Sequence, residues 1–152
     1  MAQEGMVHAL EEIQRLLRPT GTLIDIQAAV DAPPLVEVWL GQQRLFSESD
    51  PEFEYEDELG RSEAAVTDVL DRRVFVLEDR RRFELRVYAA TVKELREYFA
   101  VVGAYDSEEP EEELLRRRDE MYARAQEVLK RAPGTEIVYA EPATMSRLSP
   151  IR

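Results

Sequence analysis

The residues that could perform chemistry in this chain are few, and their types and spacing exclude several common kinds of site. Consecutive glycines are at least 16 residues apart, whereas a P-loop or a dinucleotide-binding loop needs glycines two to five residues apart. His8 is the only histidine, so multi-histidine metal sites are excluded, and its place beside a helical apolar stripe predicts a surface position. No Gly-x-Ser-x-Gly sequence presents a nucleophilic serine, and the absence of cysteine excludes thiol catalysis and thiolate metal sites. We therefore predict no catalytic, cofactor-binding or metal-binding residue.

The charged runs have a simple structural interpretation. Acidic residues concentrate at 48–58 and 106–113, where carboxylates could bind Ca²⁺ or Mg²⁺. Both runs lack the EF-hand spacing and its central glycine, so we interpret them as solvated acidic segments. Two arginine triplets, at 80–82 and 116–118, could bind phosphate, but pairing with nearby acidic residues is the preferred interpretation.

Four large side chains form the candidate ligand or interface face. Trp39, Arg86 and Tyr88 alternate with the apolar residues of predicted strands and so project from the faces opposite the core, and Tyr98 lies on a predicted helix. Trp, Tyr and Arg are the residue types enriched at interface hot spots. Helices of the same chain, a partner protein or a small molecule could each cover this face.

Composition limits the class of protein and its partners. The chain has 152 residues, of which 44% are hydrophobic, which predicts one globular domain over residues 1–152. A formal net charge of −12 argues against nucleic acid and anionic membrane surfaces as partners, because both attract a basic face. No apolar run has the length of a membrane span, and the N-terminus does not have the pattern of a signal peptide. We therefore expect a cytoplasmic protein.

Hydrophobic periodicity predicts the elements that position these residues, beginning with a helix and a strand. Apolar residues recur at helical spacing over residues 4–17, and Pro19 and Gly21 end the helix. An apolar strand with at least one covered face follows over residues 22–30. Apolar residues then alternate with other residues before a glycine-containing turn, and this pattern predicts a hairpin over residues 35–46.

The middle of the chain predicts a loop, a short helix and a second hairpin. The acidic segment 47–62 is interpreted as a surface loop, and Ser62 as the N-cap of a helix over residues 63–71. Two strands within residues 74–89 are expected to form a hairpin that turns through the charged residues 78–81.

The last third predicts two helices and one strand. Thr91 caps a helix that ends at Gly103, and a long helix covers residues 111–131. A strand follows over residues 135–140, and the tail 142–152 is expected to be loosely held. The complete pattern predicts an α+β fold with a mostly antiparallel sheet of five or six strands and helices packed mainly on one face.

Residues 10–26 form a predicted helix that ends in Arg18-Pro19-Thr20-Gly21 and leads into an apolar strand. In this pattern the chain resembles the C-terminal half of class I S-adenosylmethionine-dependent methyltransferases. In that family a helix with a hydrophobic–Arg/Lys–Pro–Gly–Gly ending leads into the fifth strand, and residues 10–26 have a similar pattern in which Thr20 replaces a glycine. Further similarity lies at Phe53, Ala64, Ala65, Val74, Phe75, residues 83–88, residues 92–99, residues 136–141, Leu148 and Pro150. The first strand, the glycine-rich cofactor loop and the acidic residue that holds the cofactor ribose have no counterpart here.

This resemblance implies a non-catalytic, methyltransferase C-terminal-like module that acts through assembly or ligand binding. The alternative is one half of a split methyltransferase whose cofactor loop is supplied by a separate protein chain. A third hypothesis is a small-ligand carrier with a pocket lined by Trp39, Tyr88 and Arg86. The isolated chain is not expected to be an enzyme or to bind S-adenosylmethionine. In the complete enzymes a parallel strand flanks the strand that matches residues 23–29, and its absence here leads us to expect a homodimer.

Overall fold

The computed structural model describes residues 2–55, 58–102 and 112–152 and has an α+β fold. Within these ranges it contains four α-helices, one short 3-10 helix and a five-stranded antiparallel sheet, which confirms the predicted class. The elements are α1 (Ala2–Leu16), β1 (Leu23–Ala28), β2 (Leu35–Leu40), β3 (Gln43–Ser49), the 3-10 helix (Pro51–Tyr55), α2 (Glu58–Asp71), β4 (Phe75–Ala89), α3 (Val92–Val102), α4 (Glu112–Arg131) and β5 (Glu136–Pro150).

The C-terminal strand β5 pairs with three of the other strands. Its first part pairs with β2, from Glu136 opposite Trp39 to Ala140 opposite Leu35. Its second part pairs with β1 in the antiparallel direction, and β4 also pairs with β5. The strand order is β1-β5-β2-β3. The prediction that residues 142–152 are loosely held is therefore wrong, because the strand continues to Pro150 and Leu148 is fully buried.

The predicted hairpin within residues 74–89 is also wrong, because β4 is one continuous strand of 15 residues. The segment 78–81, expected to be a turn, lies inside it. The Arg80 side chain in this segment bonds to two other elements. Its Nε donates a hydrogen bond to Ser146 Oγ of β5 (3.0 Å), and its Nη1 donates one to Glu63 Oε1 of α2 (3.0 Å). The charged residues 78–81, whose polarity is typical of an exposed turn, are therefore part of the sheet.

The segment predicted as an acidic loop is more structured than expected. The strand β3 extends to Ser49, the 3-10 helix follows at once, and α2 begins at Glu58. Ser62 therefore lies inside α2 and is not its N-cap. The loop interpretation of residues 56–57, the helix end at Gly103 and the acidic run 106–111 lie outside the described residues.

Other local signals are confirmed. The turn between β2 and β3 has Gly41 at its first central position with φ of 58°, a conformation that glycine adopts without a steric penalty. Thr91 Oγ1 accepts a hydrogen bond from the Glu94 amide (3.1 Å), and Glu94 Oε2 accepts one from the Ala90 amide (2.9 Å). The Thr91 bond is the predicted N-cap, and the Glu94 side chain satisfies a second amide just before the helix, so the two bonds together fix the start of α3.

Two compact units make up the described structure. The first comprises residues 1–32, 56–84 and 142–152. In this unit α1 and α2 pack together and cover one face of the strands, with a core of Val7, Leu10, Ala65, Val66, Val69, Phe75 and Leu148. The predicted helical stripe of α1 consists of Met6, Leu10, Ile13 and Leu17. Leu10 is buried in this core together with Val7, whereas Ile13 is 36% exposed and Leu16, which flanks the stripe, is 71% exposed.

The second unit comprises residues 33–55 and 85–141. Here α3 and α4 cover one face of the strands, and the core consists of Val36, Val38, Val92, Leu95, Met121, Tyr122, Ala125, Ile137 and Tyr139. The rings of Phe99 and Tyr139 meet edge to face with centroids 4.6 Å apart. No helix in the described part of the chain is long and apolar enough to cross a membrane.

Candidate functional site

A register shift in the hairpin positions the most conspicuous polar cluster of the second unit. The pairing of β2 and β3 shifts between Val38 and Trp39, so that Trp39 lies opposite Arg44. Such bulges redirect side chains on the bulged strand. Glu37, two residues before Trp39, lies on the same face of β2 because side chains alternate along a strand. We call Glu37, Trp39, Arg44 and Arg86 the Trp39 cluster.

The polar contacts of the Trp39 cluster are made within the chain. The Glu37 carboxylate, only 3% exposed, accepts a hydrogen bond from Trp39 Nε1 at 2.8 Å and another from Arg44 Nη1 at 2.8 Å. The guanidinium carbons of Arg44 and Arg86 lie 5.8 and 5.9 Å from the centroid of the indole ring, within the range of cation–π attraction. A buried carboxylate with two charge-assisted partners stabilises the strand face around it.

The structure brings together two of the four predicted face residues. Trp39 and Arg86 are in contact, as just described. Tyr88 follows Arg86 by two residues on β4 and is 57% exposed. Tyr98 on α3 is 46% exposed, and its ring meets that of Phe99 edge to face with centroids 5.2 Å apart. Whether this face binds a ligand or a partner stays a prediction.

Sequence reasoning missed Glu37 and Arg44, the two residues that hold Trp39 in place. Glu37 could have been found from its spacing, since a residue two positions from Trp39 shares its face of a strand. Arg44 could not, because its position opposite Trp39 depends on the bulge in the hairpin. Without the bulge, Leu45 would stand nearer to that position.

A second ionic cluster lies in the same unit, around Arg118 on α4. Arg118 Nη2 is 3.4 Å from Asp50 Oδ2 and 3.1 Å from Glu52 Oε2, and the Asp50 side chain is fully buried. Burial opposes the charge on Arg118, but the adjacent carboxylates outweigh it and hold its pKa above the usual value. Burial, followed by the Asp50 charge, raises the pKa of Tyr139. This arrangement keeps Tyr139 protonated and ties the 3-10 helix to α4.

Five arginines of the two triplets pair with acidic side chains, in agreement with the prediction. In the first triplet Arg80 pairs with Glu63, Arg81 with Asp79 and Arg82 with Asp31. In the second triplet Arg116 pairs with Glu113 and Glu120, and Arg118 with Asp50 and Glu52.

His8 is exposed, as predicted, and lies in a shallow groove between α1 and α2. A second shallow groove, between α3 and α4, is lined by Val92, Lys93, Arg96, Glu97, Ala100 and Gln126. Among the described residues, no group of three or more His, Asp or Glu side chains could hold a metal ion. Neither groove contains a predicted face residue.

The first unit has an open sheet face that the sequence did not single out. Leu23, Asp25 and Gln27 of β1 point to the face covered by helices, and Ile24 and Ile26 point the other way. Ile24 and Ile26 are 48% and 53% exposed. Met145 of β5, which lies opposite Ile26, is 37% exposed. These three apolar side chains form a continuous exposed strip.

The backbone of β1 has an open edge beside this strip. In the described structure β1 pairs with β5 alone. The Ala29 amide donates to the Pro142 carbonyl (2.8 Å), so residue 29 directs its polar backbone groups toward β5. Because these groups alternate sides along an antiparallel strand, those of Asp25 and Gln27 also point toward β5, and those of Ile24, Ile26 and Ala28 point outward. We call this edge, with Ile24, Ile26 and Met145, the β1 surface.

Asp25 lies on β1 at the helix-covered face and has a perturbed carboxyl. It stands opposite Ser146, and its Oδ1 accepts a hydrogen bond from Gln27 Nε2 at 3.1 Å. Burial raises the pKa of Asp25, and the neighbouring charge of Glu63 adds to the rise, while the Gln27 hydrogen bond and Arg80 act in the opposite direction. Ionised Asp25 is therefore a source of instability in the first unit.

Comparison with known proteins gives no identification: no protein-family model, no curated protein and no solved structure matches this chain.

Proposed function

We propose that this chain is a non-catalytic module, similar to the C-terminal half of class I S-adenosylmethionine-dependent methyltransferases, and that it acts by assembly into a homodimer. The observation that supports the proposal is the β1 surface, where unpaired backbone groups adjoin an exposed apolar strip. Natural proteins rarely leave such an edge open, because it pairs with any strand that reaches it. A two-fold dimer is the commonest closed assembly that covers one.

The contacts of the other notable clusters favour assembly over catalysis. The Glu37 carboxylate holds Trp39 and Arg44, and the Asp50 carboxylate holds Arg118. A general acid or base needs a group that can exchange a proton with a substrate, and these carboxylates are engaged in structural ion pairs. We propose that the assembly operates in the cytoplasm, where a chain without cysteine needs no oxidising compartment.

Light scattering at micromolar concentration tests this function. The wild-type protein should have about twice the 17.6 kDa chain mass. Ile26→Lys should lower the mass to that of a monomer, because lysine at an exposed edge opposes strand pairing and the side chain is already 53% exposed. Leu40→Lys, at a position 40% exposed in the second unit, is the matched control and should remain dimeric. A monomeric wild-type protein would refute the homodimer.

The second candidate is one half of a split methyltransferase, and the same open edge favours it. In the complete enzymes of the family that this chain resembles, a parallel strand flanks the strand that matches β1. A partner chain carrying a glycine-rich cofactor loop could supply that strand. Calorimetric titration separates the candidates: the chain alone should not bind S-adenosylmethionine, and binding after addition of a glycine-rich first half encoded by a neighbouring gene would establish the split enzyme.

A further inference from the structure

The strand β1 carries enough information to define how two copies would pair, and this inference rests on the proposed function. We propose that β1 pairs antiparallel with β1 of a second copy about a two-fold axis that passes beside Ile26, joining the two sheets edge to edge.

Hydrogen-bond geometry limits the possible registers. The outward backbone groups belong to Ile24, Ile26 and Ala28, so only these residues can form the hydrogen-bonded pairs across the edge. A two-fold axis beside a residue pairs that residue with its own copy. If the residue is Ile24 or Ile26, the two copies form a hydrogen-bonded pair, and if it is Asp25, the two copies form a pair without hydrogen bonds. Antiparallel pairing about each axis also keeps the isoleucine faces of both copies on the same side of the joined sheet.

Strand length reduces the choice to two registers. The midpoint of Leu23–Ala28 falls between Asp25 and Ile26, so only axes beside these two residues pair nearly the full strand. An axis beside Ile24 would leave the second half of β1 without a partner. An axis beside Gln27 would do the same for the first half, and an axis beside Ala28 or beyond would leave almost the whole strand unpaired.

Charge decides between the two remaining registers. With the axis beside Asp25, the two copies of Asp25 would face each other with Cα atoms about 4.5 Å apart, and like charges directly opposite are destabilising. With the axis beside Ile26, Asp25 faces Gln27 of the second copy on both sides of the axis. The Gln27 Nε2 group already donates to a carboxylate in its own chain and has a second hydrogen to donate. The register beside Ile26 is therefore self-complementary.

The same register extends the apolar strip. Ile26 would lie beside its own copy, with Met145 of each chain on the outer side, so a row of four apolar side chains crosses the joined sheet. Ile24 would lie opposite Ala28 of the second copy. Two chains that each carry a net charge of −12 repel one another at long range, so the pairing should tighten as added salt screens that repulsion.

Single cysteines test this register directly, because the chain has none of its own. Ile26→Cys should form an intermolecular disulfide on mild oxidation, since the Cα atoms of a hydrogen-bonded pair are about 5.5 Å apart and disulfides span that distance. Ile24→Cys is the matched control on the same face, with 48% exposure against 53%. In the proposed register its two copies are displaced by four residues along the strands, about 13 Å, which is too far for a disulfide.

Non-reducing electrophoresis gives the readout, with circular dichroism to check folding and light scattering to measure mass. Rapid crosslinking of Ile26→Cys with little crosslinking of Ile24→Cys supports the proposal. Faster crosslinking of Ile24→Cys overturns the register but keeps pairing at this edge. A dimeric mass with neither variant crosslinked overturns the pairing of β1 and leaves the proposed homodimer intact. A monomeric mass contradicts both.

Discussion

Truncation of Leu148 should destabilise the protein strongly, although it lies in a segment that the sequence suggested is loose. The side chain is fully buried, faces α1 and α2, and lies opposite Leu23 in the pairing that attaches β1 to β5. Replacing a buried leucine by alanine removes its transfer free energy and leaves a cavity, for a loss of about 2–5 kcal/mol. Since this site is completely enclosed, we expect a loss of about 3 kcal/mol.

Urea and thermal unfolding followed by circular dichroism measure this loss. In a chain of this size each kcal/mol shifts the melting temperature by about 2–4 °C, so Leu148→Ala should lower it by roughly 6–12 °C. Ile151→Ala is the matched control three residues further on, where the side chain is 37% exposed and the strand has ended. Its effect should be much smaller. A loss below about 0.5 kcal/mol for Leu148→Ala, the range of ordinary surface substitutions, would refute the central role of β5.

Three further predictions concern charge. Asp25→Asn should stabilise the protein more at pH 7 than at pH 4 in thermal melts. Because the folded-state pKa of Asp25 is raised, protonated Asp25 favours the folded state at low pH, and this stability is lost as the pH rises through that pKa, whereas asparagine stays neutral. An equal effect of the substitution at both pH values would contradict this. Asp50→Ala should cost about 2 kcal/mol in urea unfolding, because Arg118 loses its fully buried partner and keeps only the more exposed Glu52. Glu48→Ala, which removes a half-buried partner of the exposed Arg124, should cost much less, and equal losses would argue against the buried cluster. Added salt at neutral pH should raise the melting temperature modestly, and a flat response would show that the acidic residues are already well paired.

Local signals in the sequence predicted much of the fold because they act over a few residues. The Thr91 cap, the Gly41 turn and the helical spacing of α4 each depend on contacts within one element or one turn, and all are found in the structure. The α+β class follows from the same elements. These predictions needed no knowledge of what lies opposite each segment.

The errors arose where a distant partner decides the structure. The residues around Arg80 have the polarity of a turn, but Ser146 and Glu63 pair with that arginine and keep β4 extended. The segment after Pro142 lacks an obvious strand pattern, yet β1 pairs with it from Ala143 to Leu148. No property of residues 142–150 taken alone reveals that partner.

The candidate face was only partly predictable, because some of its positions follow from local alternation and others depend on distant partners. Alternation along β2 and β4 placed Trp39 and Arg86 away from the core, and the two side chains do meet. The position of Arg44 depends on a bulge that leaves no mark in the sequence. The exposure of Ile24 and Ile26 could not be predicted, because an apolar strand looks the same whether one face or both are covered.

Residue-resolved amide hydrogen exchange tests the central claim, closure of the β1 edge by a second copy, most directly. The amides of Asp25 and Gln27 point toward β5 and should be protected at every protein concentration. The amides of Ile24, Ile26 and Ala28 point outward, so they should exchange rapidly in dilute protein and become protected as the concentration rises into the range where light scattering detects dimers. Rapid exchange of these three amides at all concentrations would contradict the account.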